Sequence, residues 1–144
     1  MKLQTLIFWL LSTFIFGITA NAATWTVTKA TNSNDNVCDA DCSLREAVFN
    51  VDSGDTVVFN ANLIGQTFTL GGSEIVITKR ITIDGNLDGV NVAFISGEMT
   101  NRIFLIETGG GLDLRNAILV QGNGVSLIQS SGFGGAIYAK ANSV

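Results

Sequence analysis

The sequence contains no histidine and no proline. It has two cysteines, one tyrosine, and eight basic residues against twelve acidic ones in 144 positions. Each shortage excludes something. Without histidine there is no Ser-His-Asp or Cys-His catalysis and no His-ligated zinc, copper or haem. A net charge of −4 and a pI near 4.5 leave no basic face for a phosphate backbone, so nucleic acid is not an expected partner. Missing proline suits a chain of stacked strands, where every backbone N–H is needed for pairing. What is present is apolar: 47% hydrophobic residues and a mean hydropathy of +0.39, which argue against disorder.

Part of that apolar content reads as an address. Residues 1–22 have the form of an export signal. Lys2 gives the positive start, 6–18 (LIFWLLSTFIFGI) the apolar run, and Ala20-Asn21-Ala22 an A-x-A cleavage site. The mature chain is expected to begin at Ala23. The alternative is an uncleaved anchor, but the run is about 13 residues where about 20 span a bilayer. No later segment is apolar enough to span, so no transmembrane helix is expected in the mature chain. Cleavage removes Lys2, leaving seven basic and twelve acidic residues and a net charge of −5.

Export bears on Cys38 and Cys42, in CDADC. In an oxidising compartment a lone pair reads most simply as a disulfide, provided that 39–41 turns back on itself. A metal site is the competing reading, but two thiolates do not complete a tetrahedral zinc site. Asp35, Asp39, Asp41 and Glu46 fall at positions 1, 5, 7 and 12 of an EF-hand count, yet Val37 and Ala40 occupy positions that need a ligand and a glycine. An irregular Ca2+ site using Asp35, Asp39 and Asp41 stays open, and no other cofactor is expected.

The mature chain has one convincing helix. Ser43 and Glu46 fit a capping box, and Leu44, Ala47, Val48 and Val51 make one apolar stripe. A strand is expected before it at 24–29, and only strands after it. Short β-rich runs recur at 56–59, 66–70, 74–78, 80–85, 92–97, 102–107, 112–116, 117–122 and 134–139, bounded by Gly, Asn or Asp. Three features favour a solenoid over a sandwich or barrel. Runs share an ending, in Ile83-Asp84-Gly85, Ile95-Ser96-Gly97 and Val120-Gln121-Gly122. Asparagine recurs at Asn86, Asn101, Asn116, Asn123 and Asn142, where turns would stack. Hairpin signals are scarce. The phenylalanines are expected in the core, stacked in a ladder.

The stretch 37–51, VCDADCSLREAVFNV, resembles the N-terminal CSLREA region of bacterial surface proteins that continue as right-handed parallel β-helices. Val48 stands where that region usually has Ile. GDTVVF, ITIDGN, FISGEMTNRIFLI and GGAIYA look like successive coils, and the last resembles the GGAI repeat of polymorphic outer-membrane proteins. The resemblance implies an all-β, right-handed parallel β-helix with an N-terminal amphipathic capping helix. Residues 1–22 would be the signal, 23–55 the cap, and 56–144 about four coils of about 20–25 residues each. Leu44, Ala47, Val48 and Val51 would plug the first coil, and Cys38–Cys42 would fasten the loop entering the helix.

Parallel β-helices also carry pectate lyases and polygalacturonases, so the charged residues Asp84, Asp88, Glu98, Asp113, Arg102 and Arg115 are the catalytic candidates to weigh. No motif groups them, and turn or solvated-face readings account for each, so no catalytic residue is assigned. The expected function is an exported bacterial protein of the outer membrane, cell surface or extracellular space. It would be structural or adhesin-like and non-enzymatic, meeting surface glycans or proteins. The alternative is a carbohydrate-active β-helix enzyme with a degenerate active site or one beyond residue 144. The last coil is expected to continue past residue 144 or to associate end to end with another copy.

Overall fold

The computed structural model describes residues 21–124 and 134–143. Residues 1–20 of the signal segment, and Phe133, lie outside the described residues. The described residues wind as a β-solenoid with three parallel sheets and, among them, a single short α-helix. The strands are β1 (Thr24–Val27), β2 (Thr56–Phe59), β3 (Thr67–Thr69), β4 (Ile75–Ile77), β5 (Arg80–Asp84), β6 (Ala93–Ser96), β7 (Phe104–Ile106), β8 (Gly111–Arg115), β9 (Ala117–Val120) and β10 (Ile137–Ala139). Sheet A stacks β1-β2-β5-β8, sheet B β3-β6-β9, and sheet C β4-β7-β10. Every ladder between these strands is parallel.

Alternation within each strand decides what the coils enclose. In sheet A the register puts Trp25 beside Val57, Val57 beside Ile83, and Ile83 beside Leu114. In sheet B, Phe68, Ile95 and Leu119 line up. In sheet C, Ile75 meets Phe104 and Ile77 meets Ile106. Full burial of each such aliphatic side chain contributes about 1.5–3 kcal/mol, so the ladders are the main stabilising term.

The coils differ from the expected lengths. In sheet A, register partners lie 26 residues apart from Thr56 to Thr82 and 31 apart from Arg80 to Gly111. The three shared endings also do not form one stack. Gly85 follows sheet A, whereas Gly97 follows sheet B one corner further on. Val120 pairs with Ser96, which sets Gln121 above Gly97. Their common glycine has a common cause all the same. A Cβ on Gly85 would collide with the Asn116 carbonyl of the next coil, and one on Gly97 with the Asn101 carbonyl, with Gln121 O only 2.9 Å away. Among the asparagines, Asn116 and Asn142 take left-handed backbone angles. Asn123 instead spans two coils, its side chain donating to Met99 O at 2.8 Å.

The N-terminal end is closed as the helix stripe predicts. Strand β1 extends sheet A by one strand, stopping at Val27 rather than residue 29. Ala30 then lies over sheet B, where its carbonyl accepts from Thr69 N. Helix α1 (Leu44–Asn50), with Val51 as its cap, packs on β1 and β4. Leu44, Ala47, Val48 and Val51 all join the core. Ser43 Oγ accepts from Glu46 N and Glu46 Oε2 accepts from Ser43 N, so both halves of the capping box are present. Cys38 and Cys42 form a disulfide, with Cα atoms 4.4 Å apart.

The phenylalanine ladder is a correction. Phe59 and Phe68 are buried and meet edge-on at 4.5 Å between centroids, but they sit in neighbouring sheets of one coil. Phe49 and Phe94 face outward, 61% and 43% exposed. Phe94 points away from the core because Ala93 and Ile95, its neighbours in β6, point inward.

Candidate functional site

Polar side chains in the cap are mostly spent on holding it. Glu46 is buried and accepts from Ser33 Oγ (3.2 Å) and Asp35 N (3.1 Å) as well as Ser43 N. Burial opposes its ionisation, but these hydrogen bonds and the nearby Lys29 outweigh burial and hold its carboxyl below the ordinary value. Arg45 donates to the carbonyls of Leu70, Ser73 and Glu74 at 2.6–3.0 Å, riveting the helix to the corner between β3 and β4.

The Ca2+ candidates are engaged separately. Asp35 Oδ1 accepts from Val37 N, Asp39 Oδ1 from Asp41 N, and Asp41 pairs with Lys29 at 2.6 Å. Among the described residues no group of three or more metal-ligating side chains comes together.

The six catalytic candidates are dispersed, with one partial exception. Asp88 sits in the 86–92 loop, its carboxylate accepting from Val90 N, Asn91 N and Asn91 Nδ2. Glu98 accepts from Gly71 N at a corner. Arg102 is not on a face at all. It is fully buried, its Nη1 is 2.7 Å from Glu74 Oε2, and its guanidinium lies 5.1 Å from the Tyr138 ring centroid. The sequence offers it only as a charged candidate for a coil face, where arginine is usually found.

Asp84, Asp113 and Arg115 do share the outward face of sheet A. Arg115 binds Asp113 through both Nε and Nη2, and Asn116 Nδ2 donates to Asp84 Oδ1 at 2.9 Å. The Arg115 hydrogen bond holds the Asp113 carboxyl below its ordinary value, and Asp113 raises Arg115 in turn. A general acid needs the opposite shift, so this pair is a poor proton donor at neutral pH. A shallow cavity of about 320 Å³ opens beside it, lined by Arg80, Thr82 and Asp113 among others.

Sheet B carries a different surface, which sequence reasoning missed. A cleft of about 440 Å³ lies between the loop 60–66 and the loop 86–92. Its lining is Ile64, Gly65, Gln66, Thr67, Val90, Asn91, Val92 and Phe94. Thr67, Phe94 and Ile118 form one outward row across the three strands of the sheet. Both walls are held from within. Leu63 and Leu87 are buried anchors, Asn60 caps the 3-10 turn Ala61–Leu63, and Asn86 bridges to Val92. None of the eight lining residues has a side chain that ionises.

No protein-family model, no curated protein and no solved structure matches this chain. Function therefore rests on the chemistry of these surfaces. Among the described residues, no helix is long and apolar enough to cross a membrane.

Proposed function

We propose that this chain is an exported, adhesin-like, non-enzymatic surface or secreted protein of bacterial origin, and that the sheet-B cleft takes a neutral glycan. The observation that carries the reading is the outward Phe94 in a preformed, uncharged cleft. Its volume falls within the range of about 300–1,000 Å³ common for small-ligand sites. The ring face carries partial negative charge, which suits the C–H face of a pyranose. The Gln66 and Asn91 amides and the Thr67 hydroxyl are exposed at the rim, where sugar hydroxyls would pair with them. An apolar partner would bury those groups unpaired, at a cost. An acidic glycan would meet Asp88 in the same loop and a net-negative chain, so a neutral one fits best.

Titration calorimetry tests this with cellohexaose, laminarihexaose, xylohexaose and mannohexaose, and with polygalacturonate as the acidic counter-probe. One neutral oligosaccharide binds, and Phe94→Ala weakens it about tenfold, equivalent to about 1.4 kcal/mol. Phe49→Ala, on the cap helix, binds like the wild type. Equal binding by Phe94→Ala, or binding of polygalacturonate alone, overturns the glycan reading.

A second reading, a polysaccharide lyase or hydrolase, is favoured by Asp84, Asp113 and Arg115 sharing one face. Turnover of polygalacturonate that disappears in Asp113→Asn would establish it. In the third coil the inward residues Leu112, Leu114 and Leu119 remain half-buried, which supports end-to-end contact between copies. Light scattering then gives a mass that rises with concentration, and a monomer at every concentration refutes it.

A further inference from the structure

Among the described residues, the first to be engaged by the fold is Ala23. Asn21 and Ala22 are exposed and lie outside any strand. At Ala23 the backbone is held on both sides. Its N–H donates to Asp55 Oδ1 at 2.7 Å, and its carbonyl accepts from Thr56 N at 2.9 Å.

Asp55 is an unusual partner for a backbone amide. It is 5% exposed, and its other oxygen accepts from Trp25 Nε1 at 2.9 Å and Asp52 N at 2.8 Å. The donors are neutral. Among the described residues no cation lies within ion-pair distance of it; Lys79 pairs with Asp52 instead, at 3.2 Å. A buried carboxylate with no cation in contact, Lys79 acting on it only from a distance, is costly, and it is retained here at the residue facing the start of β1.

We propose that Asp55 is the receptor for the α-ammonium group created at Ala23 when the export signal is removed. The inference rests on the export reading above. Hydrolysis breaks the amide C–N bond between Ala22 and Ala23. Water supplies the hydroxyl of the new Ala22 carboxyl group and a proton to the Ala23 nitrogen. That amine takes up a second proton at neutral pH, since α-amino groups titrate near 7.7–8.0. The nitrogen already within 2.7 Å of Oδ1 changes from a neutral donor into a cation. A hydrogen bond charged only on its acceptor becomes an ion pair, without any movement of the chain. The precursor lacks this pair, so the folded state gains stability only once the signal is gone.

Two measurements test the proposal. N-terminal sequencing of the exported protein gives Ala23 as the first residue; any other start overturns the assignment, and a retained Met1 overturns the cleaved-signal reading on which it rests. Denaturant unfolding then compares mature protein beginning at Ala23 with the same chain N-acetylated. The free amine raises the folding equilibrium constant about tenfold over the acetylated form. In Asp55→Asn the two forms unfold alike. If Asp55→Asn does not fold, the comparison is made in Asp55→Glu, which keeps the charge and a tenfold or smaller advantage of the free amine. A start at Ala23 with no difference between free and acetylated wild-type chains refutes the pairing and leaves export intact.

Discussion

Replacing Arg102 by methionine should be among the most damaging single changes in this chain. Arg102 has no exposed surface, and Glu74, its partner, is 3% exposed. The guanidinium reaches Glu74 Oε2 at 2.7 Å, Gly134 O at 2.9 Å and Gly124 O at 3.3 Å, and it lies against the Tyr138 ring. It therefore ties the second coil to both the first, through Glu74, and the third from inside. Met fills most of the volume but leaves the Glu74 carboxylate buried without this cation. Breaking a buried pair from one side costs about 3–5 kcal/mol. Total stabilities of about 5–15 kcal/mol make that a large fraction. A shift of about 2–4 °C per kcal/mol holds for domains slightly larger than this, so a fall in Tm of about 6–20 °C is expected. Scanning calorimetry of the wild type, Arg102→Met, Glu74→Leu and the double variant reads it. Removing both charges restores much of the loss, because no lone charge is left inside. Single variants melting within about 2 °C of the wild type, or a double variant whose loss equals the sum of the two, would refute the reasoning.

Other expectations concern the cap. Val48→Asp sets a carboxylate among Val51, Ile77 and Ile81, with Lys79 already held by the Val51 carbonyl and Asp52, and costs about 3 kcal/mol or more by chemical denaturation; a wild-type midpoint would disprove the plug. Reducing Cys38–Cys42 lowers stability by about 2 kcal/mol, seen as a lower midpoint with reductant and no change in a Cys38→Ser/Cys42→Ser chain. Asp55 and Glu46 both titrate below their ordinary values of 3.8 and 4.5 in the folded protein. Their contribution is complete above those values and is lost as pH falls through the lower folded ones, so stability drops in the acid range and less steeply in Asp55→Asn. A pH profile of unfolding unchanged by that substitution would contradict the assignment.

Much of the architecture was legible because strand-forming runs and glycine corners are local signals. Each observed strand from β2 onward lies within or one residue outside a β-rich run marked by turn residues. The capping box was legible for the same reason, since Ser43 and Glu46 are three residues apart. The sites were not. Asp55 reads as a helix terminator until β1, some 30 residues earlier, returns beside it. Arg102 reads as surface until its corner turns inward. In β6 both faces are apolar, with Ala93 and Ile95 on one side and Phe94 on the other, so alternation could not tell which aromatic would meet solvent. The sheet-B cleft depends on two loops that are adjacent only after a full coil has closed.

The 86–92 loop leaves sheet A after Gly85 and returns at Ala93, and Ala93 N already donates to Gly85 O at 2.8 Å. The winding is thus complete at the base of the loop, before any of its residues is counted. The loop adds to coil length without adding to the winding, and the sheet-A spacing that contains it is 31 residues where the preceding one is 26. Closure at the base also makes this loop an exchangeable cassette. A shorter or longer segment grafted between Gly85 and Ala93 would leave the three ladders in register while replacing one wall of the cleft.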